Sequence, residues 1–235
     1  HGKGHIVPPH KLNYKANIWA LKSVGVTHLA AISAVGSLRA EIPPGEFVVV
    51  DQFIDLTRRR DLSFYDDVVV HVSTADPVCD EFATLLADAG VSAGGTIHRG
   101  GTYINIEGPQ FSTRAESHWF RSMGASVIGM TNATEARLAR EAELHFATLA
   151  MVTDYDCWHE GEEDVTVEAV LETIRKNGQF ANNAVVELAN AFYESNTCHC
   201  ERCSGALNGA MMTSPSTLSQ AVKERHELLL GRFWK

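Results

Sequence analysis

The sequence predicts an α/β fold, a sheet carrying helices on both faces, and three observations carry that prediction. Short apolar runs alternate with amphipathic segments; 235 residues at 45% hydrophobic content suffice for one sizeable core; and no repeat or low-complexity linker divides the chain. A helix through NYKANIWALKSVG ends at Gly25, a C-cap glycine, and THLAAIS follows as a buried strand leading into the small-residue turn AVGS. VVVDQFID and VVVHV read as strands, and Pro77 to Ala89 as a helix ending near Gly90. TIHRGGTYINIEG reads as two extended runs around Gly100 and Gly101. Thr113 with Glu116, and Asn132 with Glu135, have the spacing of capping boxes and open two helices, the second running through EARLAREAELHF. SVIGM lies between them as a short strand, and ATLAMV follows as a buried one. VTVEAVLETIRK and NNAVVELANAFYES read as two further helices.

Bulk properties remove several classes of function. The net charge is −9 and no basic block exceeds Arg58 to Arg60, so the chain lacks the basic face that nucleic-acid binding requires. No apolar run approaches the roughly 18 residues of a membrane span and no signal peptide is visible, which predicts a soluble cytoplasmic protein. The five cysteines are uneven: Cys79 and Cys157 stand apart, while Cys198, Cys200 and Cys203 crowd into TCHCERC. Zinc, a redox pair and reduced thiols all remain open there. A closed zinc site needs four ligands, no second Cys-x-x-Cys supplies the fourth, and only His199 or the distant His226 suggests itself; the expectation is no metal.

Chemistry in an open α/β sheet gathers where strands end, and AVGS, EGPQFS, GMTN and TDYD all fall at predicted strand ends. In TDYD, positions i and i+2 of an extended chain face one way, so Asp154 and Asp156 would share one space, each raising the other's pKa. That suits an acid acting on a base, or a metal site; a surface turn produces the same spacing. Ser33 and Gly36 offer an anion cradle or an ordinary turn, and Thr131 a hydroxyl at a helix start or a plain cap. HGKGH puts His1, Lys3 and His5 on a glycine-rich loop, and Phe111 beside Ser112 is a ring that could stack on a planar base or serve in the core. His71 reads as a partly buried histidine.

HGKGH, NYKANIWALK, SAVGSL, PGEFVVVDQFID, EGPQFSTRAES, IGMTNATEARLAREAE and VTDYDCW together resemble the 5′-methylthioadenosine phosphorylases, within the trimeric purine nucleoside phosphorylase family. The resemblance runs from residue 1 to about residue 175, with a looser likeness at Cys198 and Cys200 to a Cys-x-Cys pair of some members. It implies one domain over residues 1–235, with a mixed, twisted, partly barrel-like sheet flanked by helices. It further implies phosphorolysis of 5′-methylthioadenosine to adenine and 5-methylthioribose-1-phosphate, without metal or organic cofactor. Sister activities on adenosine, inosine or methylthioinosine, and a catalytically inert purine binder, are the alternatives. By the same resemblance Asp154 and Asp156 face N7 and the 6-amino group of adenine; His1, Ser33, Ala34 and Thr131 hold phosphate; Phe111, Ser112 and Met130 hold base and ribose. His5, Val167 and Val170 line the 5′ pocket, and His71 reaches the pocket of a neighbouring subunit in a homotrimer. Two departures accompany it. The family's upstream glycine-rich loop, its Arg before HG and its first strand lie outside a chain beginning at His1, which is expected to be N-terminally incomplete, and Thr134 stands where Pro is usual.

Overall fold

The computed structural model describes residues 1–159, 167–195 and 198–234. Its centre is one seven-stranded mixed sheet: β1 (His28–Ser37), β2 (Phe47–Val49), β3 (Gln52–Asp55), β4 (Ile97–Arg99), β5 (Thr102–Asn105), β6 (Val127–Gly129) and β7 (His145–Asp154). The helices are α1 (Tyr14–Ser23), α2 (Asp80–Ser92), α3 (Arg114–Ser122), α4 (Asn132–Glu141), α5 (Val167–Ser195), α6 (Glu201–Ser204) and α7 (Gln220–Leu230). The order across the sheet is β3-β5-β6-β1-β7-β2-β4. β1 pairs parallel with β7 and antiparallel with β6, and β2 pairs antiparallel with β7.

That order forces curvature. β2 and β3 stand five places apart in the sheet yet are joined across Val50 and Asp51 alone, and β4 and β5 are joined across Gly100 and Gly101 alone. In a flat sheet five strand spacings amount to about 24 Å. Three residue steps reach at most about 11 Å. The sheet therefore curls until its ends approach, as the family's partly barrel-like sheet implies. Asp51 N–H donates to Gly101 O (3.2 Å) and Gly100 N–H to Val49 O (2.9 Å), which ties the two corners together. Phe53 packs against the apolar clusters on both faces.

Several local expectations give way to tertiary pairing. AVGS is the last part of β1, held extended by β7, with a register shift between Val35 and Gly36. VVVDQFID splits into β2 and β3, because the chain changes sheet end at Asp51. VVVHV forms only the isolated bridge Val70–Met211, since nothing beside it offers a longer edge. α2 runs through Gly90, where packing against Ile97 leaves no room for a side chain, and ends at Ser92. α4 stops at Glu141, and His145 and Phe146 begin β7. The two C-terminal helices are one, α5. The Thr113–Glu116 capping box forms as expected. The second does not: Thr131 is the N-cap of α4 and makes no side-chain cap bond, while Asn105 Oδ1 accepts from Ala133 N–H (3.1 Å) across the sheet. Among the described residues no helix is long and apolar enough to cross a membrane.

Arg60, which composition presents merely as surface charge, ties the layers. Its side chain is 1% exposed, with Nε donating to Glu107 Oε1 (3.0 Å). It also donates to Tyr14 Oη on α1 (3.1 Å), to Thr134 Oγ1 on α4 (3.2 Å) and to Glu107 O (2.8 Å). Removing one partner of a buried ion pair leaves an unpaired charge and typically costs about 3–5 kcal/mol. Arg60→Ala is expected to lose stability on that scale in urea unfolding, and Arg60→Ala with Glu107→Gln to recover part of the loss.

Candidate active site

The site is built around the C-terminal half of β1. Antiparallel β6 places Val127 opposite Ser37 and Ile128 opposite Gly36. Met130 and Thr131 follow directly as the chain leaves β6 for α4. The Tyr103 hydroxyl, from β5, closes this group: it lies 3.2 Å from Ser33 Oγ and is hydrogen-bonded at Thr131. Burial pushes the Tyr103 phenol up, with the Ser33 and Thr131 bonds holding it back, so it stays protonated. Gly129 makes the approach possible, since a Cβ there would stand 1.9 Å from Tyr103 Oη. Sequence reasoning missed Tyr103 and Gly129, because nothing in TYIN or IGM marks a tyrosine whose hydroxyl crosses under the next strand.

On the other side of β1, Gly36 pairs with Asp154 at the end of β7. A Cβ at Gly36 would meet Asp154 Oδ1 at 2.8 Å and Asp156 Cβ at 3.3 Å, so both aspartates crowd against bare backbone. They come together by a different device from strand alternation. Asp156 lies in a turn at φ 51°, and its N–H donates to Asp154 Oδ1 (2.8 Å), an Asx turn. Thr153 Oγ1 donates to Asp154 Oδ2 (2.6 Å) and thence locks the strand end. Asp156 is buried, and the Ser117 and Ser112 side chains stand against its carboxyl. Burial is the main cause pushing both carboxyls up; the charge of Asp156 adds to the effect on Asp154, that of Glu116 to the effect on Asp156.

The EGPQFS loop folds over this turn. Cys157 Sγ contacts Ser112 O (3.3 Å), Arg114 Nη1 donates to Cys157 O (2.8 Å), and the Ser112 side chain meets the Asp156 carboxyl. Met130 lies against Gly108 at the root of the loop. Phe111 is 47% exposed, a free ring and no part of the core. Trp158 Nε1 donates to Ser37 O (2.7 Å), and the Arg121 guanidinium stacks 3.4 Å from its ring, which fixes the far side of the turn. Ser33, Ala34, Met130, Thr131, Ser112, Phe111, Asp154 and Asp156 thus gather around one stretch of β1. Because β6 runs against β1, they wrap that strand; the single row of carboxyl ends expected from an open parallel sheet does not form.

The remaining candidates lie apart. His1 and His5 stack on each other (4.2 Å) in an exposed turn, His1 Nδ1 bonding Val7 O (2.7 Å), and neither hydrogen-bonds the Ser33 group among the described residues. Val167 is exposed at the start of α5, and the Val170 side chain falls outside the described residues. His71 is exposed, where a partly buried position was expected, on an arm tied by its N–H to Ala210 O (2.8 Å).

Residues 1–190 match the family model described as the phosphorylase superfamily. An S-methyl-5′-thioadenosine phosphorylase of Geobacter sulfurreducens is 46% identical over 235 residues, 99% of this chain and 81% of the relative. One of Thermofilum pendens is 50% identical over 203 residues, 86% of this chain and 77% of the relative. Among solved structures, a methylthioadenosine phosphorylase from an antarctic soil metagenomic library superposes with TM-score 0.92 at 43% identity, over 98% of this chain and 81% of that one. A Schistosoma mansoni methylthioadenosine phosphorylase in complex with adenine gives TM-score 0.85 at 35% identity, over 90% of this chain and 81% of that one.

The Asp156 environment yields a pH signature. Its folded carboxyl titrates above its unfolded value, so the stability tied to the neutral form is complete below the unfolded pKa and is lost as pH rises through the folded one. Asp156→Asn, which suits a left-handed backbone, removes that loss. The variant is expected to melt above the wild type at pH 7 and to converge with it toward pH ~4, where the unfolded aspartate protonates; differential scanning calorimetry across that range measures the gap.

Proposed function

The chain belongs to the phosphorylase superfamily, and from that membership and the geometry around β1 we infer a pentosyltransferase that cleaves 5′-methylthioadenosine with phosphate, giving adenine and 5-methylthioribose-1-phosphate. The observation that carries the reading is the aspartate pair crowded against the bare backbone of Gly36, with both carboxyls pushed up chiefly by burial. Cleavage of the C1′–N9 bond leaves its electron pair on the purine, and a proton delivered at N7 neutralises it. A carboxyl whose pKa is raised by burial is still partly protonated where an exposed one is not, which fits that task. The other aspartate, ionised, accepts the 6-amino proton, and a 6-oxo group in its place would meet repulsion. Adenine is therefore the preferred base.

Phosphate is the co-substrate, and Ser33, Ala34 and Thr131 form its proposed seat. Support comes from the Tyr103 hydroxyl, which bonds at both Ser33 and Thr131, and from a Thr131 side chain unused in capping. Tyr103 positions Ser33. Phe111 supplies a free ring for the base beside Ser112, and Met130 an apolar contact for the ribose. His1 would join the phosphate, and His5, Val167 and Val170 the 5′ methylthio group, once substrate is bound. No metal or organic cofactor enters this chemistry. We assign the active form to a homotrimer in which His71 enters a neighbour's 5′ pocket. Its exposure, between Val69 (50% exposed) and Met212 (68% exposed) across the Val70–Met211 bridge, is the apolar surface such a contact needs.

Chromatographic assay of adenine release is the test. Phosphate-dependent release from 5′-methylthioadenosine, far exceeding hypoxanthine release from inosine, is expected. Asp154→Asn and Asp156→Asn are each expected to lower kcat on methylthioadenosine by about 10²–10⁴. Near-normal turnover by both variants overturns the acid role; preference for inosine overturns the base assignment. His71→Ala is expected to raise KM for methylthioadenosine with little change for phosphate, and light scattering to give three chains per particle.

A further inference from the structure

Far from the substrate residues, on the α2–α5 side of the sheet, metal-ligating side chains from separate segments form two triplets that share His145: Cys79 and Cys203 in one, His28 and Cys198 in the other. Cys79 is the N-cap of α2, His145 is the first residue of β7, Cys198 lies just before α6 and Cys203 within it. All are buried, at 0%, 4%, 5% and 1% exposure respectively. Cys79 Sγ stands 3.2 Å from Cys198 Sγ and 3.3 Å from His145 Nδ1, and Cys198 Sγ stands 3.2 Å from that same nitrogen. The donor atoms of Cys79, His145 and Cys203 all lie within 4.8 Å of one another. A tetrahedral zinc with sulfur at about 2.3 Å and nitrogen at about 2.0 Å has donor–donor edges of about 3.5–3.8 Å, so small outward shifts of the closest donors admit the ion.

Charge and access agree with this. Arg140 is buried at 2% exposure, and its hydrogen bonds are to Arg202 O, Asp76 O and Cys203 Sγ (3.5 Å), with no carboxylate among them. A buried guanidinium needs a compensating negative charge. A zinc ion held by three thiolates and one imidazole carries net −1, which supplies it. A cavity of about 760 Å³ lined by His28, His145, Cys198, His199 and Phe192 gives an entry path, and His28 stacks on His145 at 4.2 Å as an outer-shell partner.

We propose that Cys79, His145, Cys198 and Cys203 form a structural zinc site that clamps the segment after α5 onto β7 and α2. It supplies the two ligands that the cysteine spacing lacked. His226, the distant candidate, is committed elsewhere, its Nε2 bonded to Asp67 Oδ1 (2.5 Å). Those two, Cys79 and His145, arrive by folding. Binding releases the thiol protons to solvent and leaves every oxidation state unchanged.

The protein, expressed with zinc in the medium and purified under reductant, is expected to carry about one zinc per chain by mass spectrometry, as one tetrahedral site requires. Cobalt replacement is expected to show tetrahedral visible bands and the charge-transfer intensity of three thiolates. Cys79→Ser and Cys203→Ser should weaken cobalt binding beyond the roughly 100-fold typical of outer-shell changes. Cys200→Ser, a neighbour of the Cys203 thiol, should cost no more than that outer-shell range. Should the ligand variants fail to fold, the wild-type cobalt spectrum still decides. Reduced wild-type protein that holds neither zinc nor cobalt overturns the site, as does a metal lost with Cys200→Ser, or a Cys79–Cys198 disulfide recovered in place of metal.

Discussion

The parallel ladder between β1 and β7 is the constraint on which the molecule rests. It runs from His28 opposite His145 to Gly36 opposite Asp154, the longest pairing in the sheet, with β6 on one flank and β2 on the other. At one end it delivers His145 to the thiol cluster. At the other it brings the TDYD turn against the bare backbone of Gly36 and sets Ser33 where β6 can reach it. The register shift at Val35 matters, because it turns the end of β1 so that Asp154 meets Gly36 and both aspartates fit.

Around that ladder, polar groups are spent where apolar ones would be more stable. Asp154 and Asp156 sit where burial opposes their charge, and the Ser112 and Ser117 side chains offset only part of that cost for Asp156. Concentrated at one place, the cost marks a surface arranged for a ligand. Arg60 works the opposite way: its bonds tie α1, α4 and the strand-end loop to one another. Rigidity is thus placed in the surround, and buried carboxyls at the centre.

How much was legible follows from what each signal measures. Thr113 and Glu116 are neighbours in sequence, so their capping box could be read directly. Asn132 and Glu135 have the same spacing, yet the helix start one residue earlier, and the Asn105 side chain arriving from β5, displaced that cap. The Asp154–Asp156 pair was found for the right residues by the wrong geometry: extended alternation suggested the shared space, whereas a left-handed turn and an Asx bond produce it. AVGS looked like a turn because small residues commonly make one, and only the neighbouring strand holds it extended.

By itself the sequence determined the α/β class, most of the strands and helices, and the family, since these depend on local pattern and on motifs contiguous in the chain. Tertiary structure alone decided three matters. The strand order that curls the sheet joins distant strands through two-residue links; Tyr103 reaches Ser33 and Thr131 because β5, β6 and β1 lie side by side; and Cys79 and His145 meet the C-terminal thiols across more than fifty residues of chain. Pairing between strands obeys hydrogen-bond register and excluded volume, quantities that exist only between segments, so no reading of one segment at a time contains them.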